Sequence, residues 1–416
     1  MRISSEPLLM KDAGSRGVVF AVCVGVGFTV LSQIVSAFQL LYGIVWLSLL
    51  VYCAVSEAPS IRLSSTFAWM LGAFVCFIAY CCFCALFTGN FGYLIGYSAL
   101  IAKAFLMYVA GYFLCFSIRG NDTWNYVIIA YVVSSCVYGI WAIVTYVPSL
   151  DSWLTSQVYL FASKNSFGQI AGAAGIVLVA IAVHKKRPTK SLMCLIIAGA
   201  LVLSIMLMQC RTSLLAFLAA VVALLFYTGK KKVLFVVAVC AFVAFFYSPT
   251  FQTYVSHALF FDKYQDSDLN TFSSGRLGLW AMALDLANEN PIFGLGNYYV
   301  DCFYVNTYVN VGVLGSLPVF FIWGLRIVRN IRHGLTASNK PDSQKWLCTI
   351  IVALTAFYLV ESALEGFPPF GPGASSFFFW MLSGYLDAKI EKDAHLERSG
   401  EKKGYSMPMR SMGAEK

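Results

Sequence analysis

KSLMCLIIAGALVLSIMLMQCRTSLLAFLAAVVALLFYTGKKK, residues 190–232, reads as two apolar runs laid back to back between lysines. Each run is close to the ~20 residues that a helix needs to cross a ~30 Å hydrocarbon core. Both are continuously apolar rather than alternating as barrel strands do, so they are predicted to be transmembrane helices, 190–209 and 213–229. One charge, Arg211, stands in the hairpin between them. Short cytoplasmic loops collect lysine and arginine, which places Lys190, Lys230, Lys231 and Lys232 inside and Arg211 on the outer side.

The same pattern extends in both directions. Of the 416 residues, 59% are hydrophobic and 12% charged, and the mean hydropathy is +0.73. We read twelve spans: 17–36, 38–55, 66–88, 93–117, 124–147, 165–184, 190–209, 213–229, 233–248, 307–325, 346–363 and 373–388. The expectation is an all-α integral membrane protein of about twelve transmembrane helices. A cytoplasmic N-terminus occupies 1–16, spans one to nine occupy 17–248, an outer loop with short helices occupies 249–306, spans ten to twelve occupy 307–388, and a disordered cytoplasmic tail occupies 389–416. The residues after Arg16 lack a small-residue cleavage signal, so the first span is expected to be retained. With both termini inside, the cytoplasmic segments hold all but five of the 29 lysines and arginines. Those five are Lys103, Lys164, Lys263, Arg211 and Arg276. The net charge of +9 is thus mostly a topology signal, with attraction to anionic headgroups as a second reading and no case for a nucleic-acid partner.

The 13 cysteines are scattered, most of them inside spans. Cys81 and Cys84 have CxxC spacing but no histidine partners, and they read as small apolar core residues. Within the outer loop, Leu277, Trp280, Ala281 and Leu284 share one face of a helical pattern. Ser273 or Ser274 can cap that helix, and Asn290 and Pro291 stop it.

Lys164, Arg211 and Arg276 each fall at or near a predicted helix start on the face that other cations avoid. Free backbone N–H groups and the positive end of a helix dipole suit such positions to phosphate, and arginine adds a fork for two phosphate oxygens. Thr212 or Ser213 is a plausible N-cap beside Arg211, and Asn165 follows Lys164. Lys103 is an ionisable group within a span, and such groups mark function by default. Among outer-side groups that could take a proton from a sugar hydroxyl, Asp301 leads Asp151, Asp285, Glu289, Glu361 and Glu365, and His257 is the only outer histidine.

Five pieces of the chain resemble, in order, the O-antigen ligase and polymerase superfamily. They are KNSFG at 164–168, CRTSLLAF at 210–217, SSGRLGLW at 273–280, NPIFGLG at 290–296 and NVGVLG at 310–315. Resemblance to this family, which includes the Wzy-type repeat-unit polymerases, implies a GT-C-like membrane glycosyltransferase. It would act at the periplasmic face of a bacterial inner membrane on undecaprenyl-diphosphate-linked sugars. It also implies that Arg211 and Arg276 bind the lipid diphosphate and that no metal or other cofactor is needed. O-antigen ligases carry a His-Asn pair about eleven residues before the glycine matching Gly312, whereas this chain has Asp301 and Cys302 there.

The sequence therefore points to an O-antigen or exopolysaccharide polymerase. Lipid-linked oligosaccharides would be donor and acceptor, the bilayer its medium and a chain-length regulator a possible partner. Arg211, Arg276 and Asp301 would be catalytic, and Lys164, Asn165, Lys103 and His257 would bind substrate. The rival readings are an O-antigen ligase of the same superfamily and a lipid-linked oligosaccharide flippase, which predicts pseudo-symmetric halves.

Overall fold

A computed structural model describes residues 6–56, 63–118, 123–147, 164–184, 187–230, 246–259, 275–339, 342–371 and 373–398, with isolated positions between them. Among these every regular element is helical. They are α1 (Glu6–Leu31), α2 (Ala37–Ser56), α3 (Ser65–Thr88), α4 (Gly92–Ile95), α5 (Tyr97–Ser117), α6 (Thr123–Tyr146) and α7 (Lys164–His184). Next come α8 (Pro188–Leu207), α9 (Arg211–Tyr227), α10 (Pro249–Leu259), α11 (Arg276–Asn288), α12 (Phe303–Leu335), a 3₁₀ turn (Thr336–Asn339), α13 (Asp342–Leu364) and α14 (Gly373–Arg398). Among the described residues eight helical segments are long and apolar enough to cross a membrane, and Arg16–Leu31 and Arg211–Tyr227 are shorter apolar helices. The predicted span 233–248 lies mostly outside the described residues.

The twelfth predicted span lies within α14, the inner post of the bundle, with residues 376–388 all buried. It packs along α5 through two glycines. A Cβ on Gly111 would sit 1.9 Å from the Met381 carbonyl, and one on Gly384 would sit 2.0 Å from the Tyr108 carbonyl. Helices in lipid gain little from hydrophobic exclusion and associate through such close backbone approach. Contrary to the disordered tail predicted from Lys389, α14 continues helical to Arg398. Lys389 pairs with Asp393 one turn on, and Lys392 Nζ lies 5.7 Å from the centre of the Phe116 ring.

Arg326 also departs from expectation. It reads as the first residue of a cytoplasmic loop, but α12 runs on to Leu335 and buries it completely. Asp387 of α14 accepts from His333 Nε2 and Tyr108 Oη and forms an ion pair with Arg326 Nη2, each at 2.8 Å. A charge this deep needs such partners, and the cluster ties α5, α12 and α14 together near the basic loops.

The break in α12 positions the site. Gly312 has φ 60° and ψ −170° within the helix, a backbone region open essentially to glycine alone. The break frees carbonyls that must find donors where no water reaches. Leu295 N–H donates to the Val309 carbonyl at 2.8 Å, Gly296 N–H to that of Asn310 at 2.9 Å, and Tyr80 Oη to that of Val311 at 2.7 Å. In return Val313 N–H donates to the Pro291 carbonyl at 2.9 Å. NPIFGLG and NVGVLG are therefore two halves of one joint. Gly294, at φ 73°, leaves no room for a side chain, since its Cβ would lie 2.6 Å from Gly312 N.

Gly312→Ala combines forbidden backbone, costing about 1–3 kcal/mol, with a Cβ 2.2 Å from the Ile292 carbonyl. It should abolish the monodisperse peak in detergent size-exclusion chromatography. Gly324→Ala, on the same helix but facing open space, should leave that peak intact.

Candidate functional site

All three basic residues singled out above open a helix: Lys164 begins α7, Arg211 begins α9 and Arg276 begins α11. Small residues bring the first two starts together. A Cβ on Gly168 would lie 2.5 Å from Ser213 Oγ and 2.9 Å from Cys210 Cβ, so only glycine allows α7 and α9 to approach this closely. Cys210 Sγ donates to the Lys164 carbonyl at 3.4 Å, and burial pushes its thiol up to about 12, so it stays a protonated donor. The expected N-cap of α9 is corrected: the helix starts at Arg211, two residues early, with Cys210 as cap and no side-chain capping bond.

Thr212 is otherwise engaged. Its hydroxyl donates to Glu365 Oε1 at 2.9 Å, while Asn165 Nδ2 donates to Glu365 Oε2 at 2.7 Å. Arg276 Nη2 completes the set at 3.0 Å from Glu365 Oε1. One carboxylate just past the end of α13 thus gathers the starts of α7, α9 and α11. Arg276 also donates through Nη1 to the Leu364 carbonyl, an acceptor left over at a helix C-terminus. Its Nε lies 3.4 Å from Asp301 Oδ2. The Glu365 side chain is 4% exposed, those of Arg276 and Asp301 19% and 28%, so Asp301 is the more accessible of the two carboxylates on Arg276.

Burial raises the Glu365 carboxyl above its ordinary value and the Asp301 charge adds to this, while the Arg276 guanidinium opposes both. Burial, then the charge of Asp301, likewise raises the Tyr299 phenol. One turn before Glu365, Glu361 lies fully buried against Ser213 and Gln169.

The loop helix α11 uses a different face from the one its apolar pattern suggests. Leu277 and Ala281 are exposed, whereas Ala283 and Ala287 are buried with Val300 and Val309. Two ties set the rotation, the Arg276 ion pairs and the Trp280 Nε1 donation to the Asp301 carbonyl at 2.7 Å. The capping expectation is met only in part. The helix follows Gly275 at φ 77°, and Ser273 Oγ, 3.4 Å from Leu277 N–H, accepts from it. Ser274 lies outside the described residues.

Two predicted substrate-binding residues stand elsewhere. His257 is buried on α10, its Nε2 3.0 Å from Gln209 Nε2. Gln209 has φ 52° in the turn that presents Arg211, so this pair braces the turn. Lys103 is exposed on α5, and no contact among the described residues joins it to the cluster. Glu365 is the residue that sequence reasoning undervalued. Its signal was an acid one turn after another at the C-terminus of an apolar helix, where the dipole disfavours negative charge.

Residues 199–313 match the family model for O-antigen ligases. Over this segment, about a quarter of its length, the chain is similar to the O-antigen ligases. The superfamily match takes in Arg211, Arg276, Asp301 and both halves of the Gly294–Gly312 joint, while Lys164, Asn165 and Glu365 lie outside it. No curated protein matches the chain.

Glu365 makes a pH prediction. From 4.5 upward, folded chains hold a proton that unfolded chains have released, so stability falls as pH rises through the window between the ordinary and the raised value. As pH rises from about 4.5, the melting temperature of Glu365→Gln should therefore fall less than that of the wild type. Parallel curves would show that Glu365 titrates normally.

Proposed function

We propose that this protein is a periplasm-facing glycosyltransferase of the bacterial inner membrane that polymerises a surface polysaccharide from repeat units carried on undecaprenyl diphosphate. The observation that carries the reading is the convergence of three cation-headed helix starts on the Glu365 carboxylate. Helix dipoles and arginine forks together suit a diphosphate.

In this scheme an acceptor hydroxyl attacks the anomeric carbon of the donor sugar. The bond from that carbon to the diphosphate oxygen breaks, and the electron pair leaves with the diphosphate, which Arg211 and Arg276 stabilise. The hydroxyl proton passes to Asp301, the more accessible carboxylate on Arg276. Glu365 holds Arg276, Thr212 and Asn165 in register and acts as a positioning residue.

The second reading, transfer of a finished glycan from carrier to acceptor, is favoured by the family description itself, that of an O-antigen ligase. Asp301 and Cys302, standing where ligases have a His-Asn pair, favour the polymerase.

A deletion strain should accumulate single repeat units on the lipid carrier or surface glycan capped with one unit, seen by gel and by mass spectrometry of the lipid fraction. Full-length polymer stranded on the carrier would mean the ligase. Arg211→Ala and Arg276→Ala should each lower polymer formation by about 10²–10³-fold. Arg276→Lys should restore only part of it, because an ammonium lacks the fork. Asp301→Asn should cost about 10²-fold or more, and normal long polymer from it would remove Asp301 as the base.

A further inference from the structure

At the far end of the same helices from the glycosyl-transfer cluster, the chain carries two joined cavities that this chemistry does not use. The first, about 600 Å³, lies among the ends of α7, α9 and α12 and the start of α13. His184, Lys230 and Lys345 supply its cationic or titratable groups, and Thr228, Thr349 and Tyr227 add hydroxyls. The second, about 470 Å³, is an apolar groove between α7, α8 and α9, lined by residues such as Val179, Leu195, Val202, Phe217 and Val221. Both share Val183 and Lys230, and among the described residues no acidic one lines either.

The junction is built rather than incidental. Lys230 Nζ donates to the Val183 carbonyl at 2.8 Å, which fixes the ammonium over the last turn of α7 where head pocket and groove meet. Tyr227 Oη donates to the Gly334 carbonyl at 2.8 Å. A Cβ on Gly334 would press Val352 at 2.5 Å, so the pocket wall cannot thicken there. In the groove, by contrast, a Cβ on Gly199 would meet nothing within 4 Å, leaving open space along a surface otherwise packed with branched side chains.

We propose that these cavities form a binding site for one anionic phospholipid, with its phosphate head in the lysine pocket and an acyl chain in the groove, in the leaflet beside the basic loops. Charge complementarity selects the head, since basic pockets between transmembrane helices suit anionic headgroups. The continuous apolar groove selects a lipid over a soluble phosphate. A lipid wedged there holds α7 and α9 together at one end, and those are the helices whose starts carry Lys164 and Arg211 at the other.

The test uses the full chain, purified and delipidated in nonionic detergent, with melting temperature read against added lipid. Dioleoyl phosphatidylglycerol should stabilise it more than dioleoyl phosphatidylcholine, which has the same chains and no net charge. Inorganic phosphate at the same concentration should do little. Lys345→Gln, which spares the Val183 cap, should weaken the phosphatidylglycerol effect about fivefold. Gly199→Trp, which fills the groove without touching a charge, should weaken it as well. Equal stabilisation by the two lipids, an equal effect of inorganic phosphate, or an unchanged response in Gly199→Trp would each overturn the proposal.

Discussion

A membrane-embedded backbone cannot leave its carbonyls unpaired, and the break at Gly312 in α12 makes that constraint shape this molecule. Three freed carbonyls turn to the outer loop and to Tyr80, and the loop can reach them because Gly294 and Gly296 adopt positive φ. This joint is reinforced by side chains. Asn310 accepts from Tyr298 N–H and donates back to the Tyr298 carbonyl, and Asn306 links Val300 to the Gly366 carbonyl. The strand of loop from 291 to 302 is thereby fixed against α12 and the end of α13. Asp301 rides on that strand, and α11 is held to it through Trp280.

The electrostatics depend on that placement. Arg276 is brought over two carboxylates, and its bond to the Leu364 carbonyl uses the exposed end of α13. A buried ion pair gains little net stability, so the arrangement is better understood as orientation. Glu365 fixes the guanidinium, the Thr212 hydroxyl and the Asn165 amide relative to one another, and it does so from a site where burial weakens its own charge.

Hydropathy made most of the helices legible, because length and apolarity are one-dimensional quantities. It missed breaks inside apolar runs: Gly96 splits one predicted span into α4 and α5, and Gly312 divides another, since neither glycine disturbs the hydropathy. It also ended α12 and α14 too early, because Arg326 and Lys389 look like the first charges of cytoplasmic segments until they are seen paired with Asp387 and Asp393. Within the site, the cations were legible from their placement at helix starts on a face poor in basic residues. The acceptor that unites them was not, as Glu365 lies 200 residues from Asn165 and no local pattern links the two. His257 was misleading for the same reason, since its partner Gln209 is set by a turn with positive φ. The rotation of α11 was hidden because the alanines it buries carry less hydrophobic signal than the leucines it exposes.

The central claim is that Arg211 and Arg276 form one diphosphate site around Glu365. Its most direct test is equilibrium binding of a polyprenyl diphosphate to the purified protein in detergent, measured for wild type, Arg211→Ala, Arg276→Ala and the double variant. Each single variant should lose about tenfold or more in affinity, the double variant should lose little beyond the worse single one, and a polyprenyl monophosphate should bind more weakly throughout. Undiminished diphosphate binding in either single variant, from protein that remains monodisperse, would contradict the account.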